Sequence, residues 1–192
     1  MKKLKRGFLL LAFNNNEIDY IKMACCCALS IKSHLKYNHV TLVTDGSINW
    51  LEKILSKDQI EKIFDNIIIV ETQDKENIRT HYDSPWTKFK APFLNKNRAN
   101  AYDISPYDET ILLDVDYLVM SDMLDLVWDN TEDFLINKDA ANLRNEKFHS
   151  KEIRLSESGV PMYWATVIYF KKSEIAKLIF DLSIFIKDNY LF

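Results

Sequence analysis

The chain has 192 residues, of which 47% are hydrophobic and 12% are aromatic, enough to bury a sizeable core in one domain. Its 25 Lys and Arg residues nearly balance its 28 Asp and Glu residues, which argues against a basic surface for nucleic acid. Neither a low-complexity linker nor an internal repeat divides the sequence. We therefore predict a single domain over residues 1–192 with no nucleic-acid partner.

The N-terminal segment combines basic side chains with a short apolar run, as signal peptides do. Residues 8–13 form that run, which is too short for an export signal or a membrane span. Polar residues 14–17 follow it, where a cleavage site would have small side chains. We predict a first strand over residues 7–13 and no transmembrane segment.

Three consecutive cysteines, Cys25, Cys26 and Cys27, lie in the first predicted helix. On a helix their side chains would point in directions about 100° apart, so they cannot converge on one metal ion. They fit reduced thiols of a reducing compartment, which favours a cytoplasmic location. The four histidines of the chain show no zinc-binding spacing.

Strands and helices are predicted to alternate along the chain. Predicted strands cover residues 7–13, 39–44 and 66–70, and predicted helices cover residues 18–35 and 47–64, with N-caps from the turn at residues 14–16 and from Ser47. A third helix is predicted to start with Ser84, Pro85 and Trp86 and to be limited by Pro92. Two more helices are predicted over residues 95–102 and 175–186. This alternation predicts an α/β fold with a mostly parallel sheet flanked by helices.

An apolar run at residues 111–113 leads directly into two acids, Asp114 and Asp116. Such a run is typical of a strand buried on both faces. Two carboxylates at its end repel each other unless they share a cation, and Mn²⁺ or Mg²⁺ typically takes one or two carboxylates together with water and phosphate oxygens. We interpret both acids as metal ligands. The simpler alternative is a strand-end cap at Asp114 and a solvated turn at Asp116.

Polar side chains follow three of the predicted strands. Asn14, Asp45 and Asp114 would lie at the carboxyl ends of these strands, where doubly wound sheets bind their ligands. Neither a dinucleotide-binding glycine pattern nor a P-loop sequence is present to hold phosphates. We therefore expect these three residues to border one cleft in which a metal ion holds the phosphates.

Residues 105–119 resemble the segment that carries the DxD motif in nucleotide-sugar-dependent glycosyltransferases of the GT-A fold, especially the glycogenin-like and bacterial galactosyltransferase-like group. Residues 28–32 and 159–170 resemble the first helix and the sugar-lining strand of that family. The resemblance implies a GT-A-like (Rossmann-like) domain and metal-dependent hexosyltransferase activity with Mn²⁺ or Mg²⁺. It also implies a nucleotide-sugar donor, preferably a UDP-sugar, retention of anomeric configuration, and a glycan, lipid or protein acceptor.

The resemblance also assigns roles around the acidic motif. Asp116 would ligate the metal, and Asp114 would contact the ribose, the metal or both, with Val115 between them. The base and ribose would be bordered by Ala12, Phe13, Asn14, Asn15 and Asp45. A basic residue before the motif would contact the diphosphate or sugar, and the candidate is Arg98, with Lys88, Lys90 and Lys96 as competitors.

The sugar-lining strand departs from the family pattern. Relatives often have Asn, then Ala or Ser, then Gly, where this chain has Trp164, Ala165 and Thr166. Tyr163 and Trp164 could stack on a sugar face, or they could belong to the core. The implied substrate-binding set is Tyr163, Trp164, Ala165 and Thr166.

A third metal ligand, a His from a later segment, is also typical of many relatives. No histidine follows His149 in this chain. We expect either a C-terminally incomplete chain or a metal site completed by water and donor phosphates around Asp114 and Asp116. His149 is a further candidate ligand.

Three other functions stay open. Haloacid-dehalogenase-like phosphatases also place two acids after a buried strand, but usually near the N-terminus. A nucleotidyltransferase uses similar metal and diphosphate chemistry, but usually has a Gly-rich first loop where this chain has asparagines at residues 14–16. A non-catalytic GT-A-like binding module would keep the fold without turnover.

Overall fold

The computed structural model describes residues 4–15, 17–71, 78–82, 88–92, 96–137 and 163–189. The strands are β1 (Leu4–Leu11), β2 (Val40–Thr44), β3 (Asn66–Ile69), β4 (Ile78–Tyr82), β5 (Lys88–Pro92), β6 (Tyr107–Leu113), β7 (Phe134–Asn137) and β8 (Trp164–Lys171). The α-helices are α1 (Tyr20–His34), α2 (Ile48–Ile54), α3 (Lys57–Ile63), α4 (Ala101–Ile104) and α5 (Glu174–Asn189). Two 3-10 helices cover Lys96–Asn100 and Asp122–Asp129.

Six strands form one sheet in the order β3-β2-β1-β6-β8-β7. The four strands β3, β2, β1 and β6 are parallel to one another, whereas β8 and β7 join as antiparallel strands. The predicted α/β architecture with a mostly parallel sheet flanked by helices is therefore confirmed.

Both faces of the central strands are covered by helices. Alternate side chains of each strand point to opposite faces, so both sets are buried. Phe8, Ile111 and Leu113 pack on one face against α1, α2 and α3. Leu9 and Leu112 pack on the other face against α4 and α5. The apolar run at residues 111–113 is thus a strand covered on both sides, as the sequence predicted.

The Tyr107 ring packs against the backbone of β1 at Gly7. A Cβ atom at Gly7 would lie 2.2 Å from the Tyr107 ring, so a larger residue does not fit there without movement. The ring is held in place by its hydroxyl group, which is 2.6 Å from Thr41 Oγ1 and 2.8 Å from His39 Nδ1. Gly7 is required by this close approach.

Three predicted helices differ from the structure. The helix predicted to start at residues 84–86 is wrong over residues 88–92, which form β5 in a hairpin with β4. Phe89 between Lys88 and Lys90 has the alternation of a strand, and the proline signal at Pro85 outweighed it in the prediction. Residues 84–86 themselves lie outside the described part.

The helix predicted over residues 47–64 is divided in two. Leu55 has an extended backbone after α2, and Ser56 then begins α3 with a capping box in which its side chain and that of Gln59 bond each other's backbone N–H. The N-cap residue of α1 also differs from the prediction. It is Asp19, whose carboxylate accepts from Lys22 N at 3.0 Å, while Asn14 of the predicted turn accepts from Ile21 N in the first turn of the helix.

Other predicted element boundaries also differ from the structure. The helix predicted over residues 95–102 is a 3-10 turn followed by the short α4, and the strands β4 and β7 were not predicted. Within the described ranges, no helix has the length and apolar character that crossing a bilayer requires.

Candidate functional site

The carboxyl ends of β2, β1 and β6 lie at one edge of the sheet, because these strands are parallel and adjacent in that order. Asn14, Asp45 and Asp114 follow the three strands. The structure therefore brings these polar residues to the same edge, as predicted. Their roles toward a ligand stay predictions.

The ends of β1 and β2 are linked through Ser47. Ser47 Oγ donates to Asp45 Oδ1 at 2.6 Å and accepts from Asn14 N at 3.1 Å. The Asn14 side chain in turn donates to Asp19 Oδ1 at 3.0 Å and accepts from Ile21 N at 2.9 Å. These bonds join both strand ends to the start of α1. They give Asn14 and Asp45 a defined structural role beside the predicted base and ribose contacts.

Ala12, Phe13 and Asn15 are the other predicted nucleotide-bordering residues in the turn after β1. The side chains of Ala12 and Phe13 are buried in the core, so only their backbone could border a nucleotide. Asn15 Oδ1 accepts from the backbone N–H groups of Glu17 and Ile18 at 2.9 and 2.7 Å, which closes the turn before α1. A side chain thus satisfies two backbone donors of this turn.

Arg98 lies against the acidic motif. Its guanidinium donates to Asp114 Oδ1 and to the carbonyl oxygen of Ala165 at the start of β8. The Arg98 side chain is 17% exposed and that of Asp114 is 38% exposed, so the pair is partly shielded from water. Among the candidate basic residues, Lys88 and Lys90 lie instead on the β4–β5 hairpin. A contact of Arg98 with diphosphate or sugar stays a prediction.

Negative charge accumulates around the Asp114 carboxylate. Burial raises its pKa, and the Asp116 carboxylate raises it further, whereas the Arg98 guanidinium opposes both effects. Burial also raises the pKa of the Cys27 thiol to about 12, with additional contributions from the two acids. The pKa of Tyr20 is raised by burial and by Asp116. The site thus favours an added positive charge.

Asp116 differs from Asp114 in its surroundings. Its side chain is exposed, and no described residue forms a hydrogen bond or ion pair with it. Val115, between the two acids, is buried in the core and holds the turn against the sheet. Across the described ranges, no group of three or more His, Cys, Asp or Glu side chains is arranged to hold a metal ion. The two acids would therefore need further ligands from water or substrate.

The start of β8 lies beside the acidic motif. Thr166 O accepts from Asp114 N at 3.0 Å, and Ala165 O accepts from Arg98. Tyr163 precedes the strand with its side chain 40% exposed, while the side chain of Trp164 lies outside the described part. Of the predicted sugar-lining residues, Thr166 and Ala165 therefore lie beside the acidic motif. Residues 159–162 and His149 lie outside the described ranges.

Several residues of this edge were not predicted as site residues. The sequence predicts Ser47 only as a helix cap, yet its side chain makes no cap bond and donates to Asp45 instead. The motif Asp-Gly-Ser after a strand is a turn signal that could have indicated this bond. The sequence indicates only a reduced thiol at Cys27, whose Sγ lies 4.0 Å from Asp114 O. No spacing rule connects positions so distant in sequence.

Comparisons with known proteins give structural matches only. No family model and no curated protein matches the sequence. The apo glycosyltransferase GlyE of Streptococcus pneumoniae TIGR4 is 17% identical, with a TM-score of 0.53 over 97% of this chain and 39% of GlyE. The galactosyltransferase LgtC, solved with donor and acceptor sugar analogues, is 14% identical, with a TM-score of 0.52 over 97% of this chain and 66% of LgtC.

Mouse xyloside xylosyltransferase 1 in its apo form is 12% identical, with a TM-score of 0.51 over 96% of this chain and 74% of that enzyme. The chain thus spans about two fifths of GlyE and two thirds of LgtC. Likeness at such low identity concerns the fold. The chain has the GT-A-like fold of these glycosyltransferases.

Proposed function

We propose that this chain is the nucleotide-sugar-binding domain of a metal-dependent glycosyltransferase of the hexosyltransferase type. It would move a sugar from a nucleotide-diphosphate donor, a UDP-sugar, to a glycan, lipid or protein acceptor. One observation carries the proposal. Asp114 and Asp116 follow the central strand β6 at the edge where β1 and β2 also end, in a fold that the chain shares with glycosyltransferases.

The carboxylates at this edge of the sheet are suitable ligands for a hard divalent cation. Asp116 offers an exposed carboxylate without a described partner, and Asp114 offers a second carboxylate whose pKa burial raises. Mn²⁺ and Mg²⁺ accept one or two carboxylates and leave positions for water and phosphate oxygens. Asp114 and Asp116 would hold the ion. Such an ion, when bound, supplies the positive charge that stabilises a leaving nucleoside diphosphate.

The chain's own residues would position the donor. Arg98 joins Asp114 to the Ala165 carbonyl, so it fixes the acidic motif relative to β8. A guanidinium has five N–H donors, and its planar fork suits bidentate contact with phosphate oxygens. At the other side, the bonds of Asn14, Asp45 and Ser47 keep the ends of β1 and β2 rigid. Preorganised groups of this kind lower the cost of ordering a ligand.

Thermal melts test the nucleotide site. UDP, other nucleoside diphosphates and UDP-hexoses are added with and without Mn²⁺. A ligand at 100 times its Kd stabilises the native state by about 2.7 kcal/mol. For a domain of this size we expect the melting temperature to rise by about 5–10 °C with UDP and Mn²⁺ together. The absence of any metal-dependent shift would contradict the proposal.

Product analysis separates the remaining alternatives. Metal-dependent hydrolysis of a UDP-hexose, or transfer of its sugar, is expected of the enzyme. Binding without any turnover would favour a non-catalytic GT-A-like module. Release of pyrophosphate from a nucleoside triphosphate would instead indicate a nucleotidyltransferase, and phosphate release from a phosphomonoester would indicate a phosphatase.

A further inference from the structure

The loop from Asp114 to Val119 holds the candidate metal ligand Asp116 through its backbone. No described residue forms a hydrogen bond or ion pair with the Asp116 carboxylate, so the carboxylate's position depends mainly on where the loop is anchored. The first anchor is at Asp114, whose N–H donates to Thr166 O at 3.0 Å. A turn follows, in which Tyr117 N donates to Asp114 O at 3.1 Å. These bonds hold only the upstream half of the loop.

The downstream anchor is a side chain on α1. Ser30 Oγ accepts from Val119 N at 3.0 Å and donates to Cys27 O at 2.7 Å. Its single proton is used by the helix carbonyl, which leaves the oxygen lone pairs for the loop amide. Val119 itself is buried in the core between the sheet and α1. A buried amide without a partner is costly, so Ser30 determines where the loop returns to the core.

We infer that Ser30 is a positioning residue for the metal-binding loop. It acts through the Val119 amide, and it sets the place of Asp116 relative to Asp114. This inference rests on the proposed function, because it concerns the metal ion that the two acids would hold. Partners that orient metal ligands from outside the coordination sphere typically change metal affinity by 10- to 100-fold when they are removed.

The chain offers a matched control on the same helix. Ser33 Oγ donates to Leu29 O at 2.8 Å, the same kind of bond to a helix carbonyl, but it is exposed and has no described contact with the loop. Ser33→Ala therefore removes a helix serine without removing a loop anchor. Ser30→Thr keeps the hydroxyl group at the anchor and tests rescue, since a threonine hydroxyl also bonds helix carbonyls.

The first measurement needs no metal. Hydrogen exchange at the Val119 amide should be faster in Ser30→Ala than in wild type, Ser30→Thr and Ser33→Ala. The second measurement is the Kd of Mn²⁺ in the presence of UDP, by calorimetry on the full chain at a temperature where melts show every variant folded. Ser30→Ala should bind Mn²⁺ at least about tenfold more weakly. Ser30→Thr and Ser33→Ala should bind like wild type.

The outcomes separate this inference from the proposed function. Wild-type Mn²⁺ affinity in Ser30→Ala, or unchanged exchange at Val119, overturns the positioning role while the proposed function stands. An equal loss of affinity in Ser30→Ala and Ser33→Ala also overturns it, since a general effect on α1 would explain both. If wild type itself binds no Mn²⁺ with UDP, the proposed function fails and the positioning role fails with it.

Discussion

Replacement of Asp116 by asparagine separates metal binding from folding. The substitution keeps the size of the side chain and removes its charge. No described residue pairs with this exposed carboxylate, so no partner is left unsatisfied. Substitutions at such surface positions usually change the free energy of unfolding by no more than about 0.5 kcal/mol. For a chain of 192 residues, that corresponds to a melting shift of only about 1–2 °C.

The effect on metal binding should be much larger. Loss of one of two carboxylate ligands should weaken Mn²⁺ binding in the presence of UDP by at least about tenfold, which is about 1.4 kcal/mol. The assays are a Mn²⁺ titration with UDP and a melt of the metal-free protein. Asp129→Asn is the control, because Asp129 is also exposed but lies next to Asn130, whose carbonyl accepts from Lys171 Nζ at the opposite edge of the sheet.

Asp114 provides the contrasting case. Asp114→Ala removes the carboxylate that accepts from Arg98, and a hydrogen bond to a charged group contributes about 1.5–3 kcal/mol. Because the Asp114 side chain is 38% exposed, solvent screening reduces the expected loss to about 1–2 kcal/mol.

Unchanged Mn²⁺ affinity in a strongly destabilised Asp116→Asn would refute the assignment of Asp116 as a metal ligand. Asp116 would then be a structural residue, and Asp114 alone could not explain a metal site.

Three further predictions concern the packing around Gly7 and the thiols of α1. Gly7→Ala should lower the free energy of unfolding by about 2 kcal/mol or more in denaturant titrations, because its Cβ would overlap the Tyr107 ring, whereas Gly46→Ala, with open space around it, should stay close to wild type. Iodoacetamide at pH 8 should alkylate the exposed Cys26 but not the buried Cys27, whose pKa of about 12 leaves about one thiol in 10⁴ ionised, as peptide mass spectrometry would show. Since burial raises this pKa above the ordinary thiol value of 9.0, the thiol's contribution to stability should be present at pH 8 and should decline as the pH rises above about 9, in melts of wild type.

The parts of the fold that sequence could predict are those with strong local patterns. The apolar run before Asp114 indicated a strand buried on both faces, and the structure places it between β1 and β8 at the centre of the sheet. The repeated order of strand and helix indicated a parallel sheet, which in turn indicated that Asn14, Asp45 and Asp114 share one edge. These inferences needed periodicity and topology, and no contact between distant residues.

The parts that could not be predicted depend on distant contacts. The bond from Val119 N to Ser30 Oγ joins positions 89 residues apart, and the Cys27 Sγ contact with Asp114 O joins positions 87 apart. Ser30 looks like any solvent-facing helix serine in the sequence, because the loop that it anchors is formed only after α1 packs on the sheet. The antiparallel strand β7 is likewise short and weakly patterned, so its pairing with β8 decides its conformation.

The charge balance of the described site argues for a cation in the proposed reaction. Asp114 and Asp116 bring two negative charges to the edge of the sheet, and Arg98 compensates one of them. A nucleoside diphosphate would add further negative charge at the same edge, where partial burial strengthens repulsion. Among the candidate basic residues that the structure describes, Arg98 is the one with a bond to the acidic motif, and Lys88 and Lys90 lie on the β4–β5 hairpin. A divalent cation between the acids and the diphosphate would offset this repulsion, so we expect the metal to strengthen nucleotide binding by this chain.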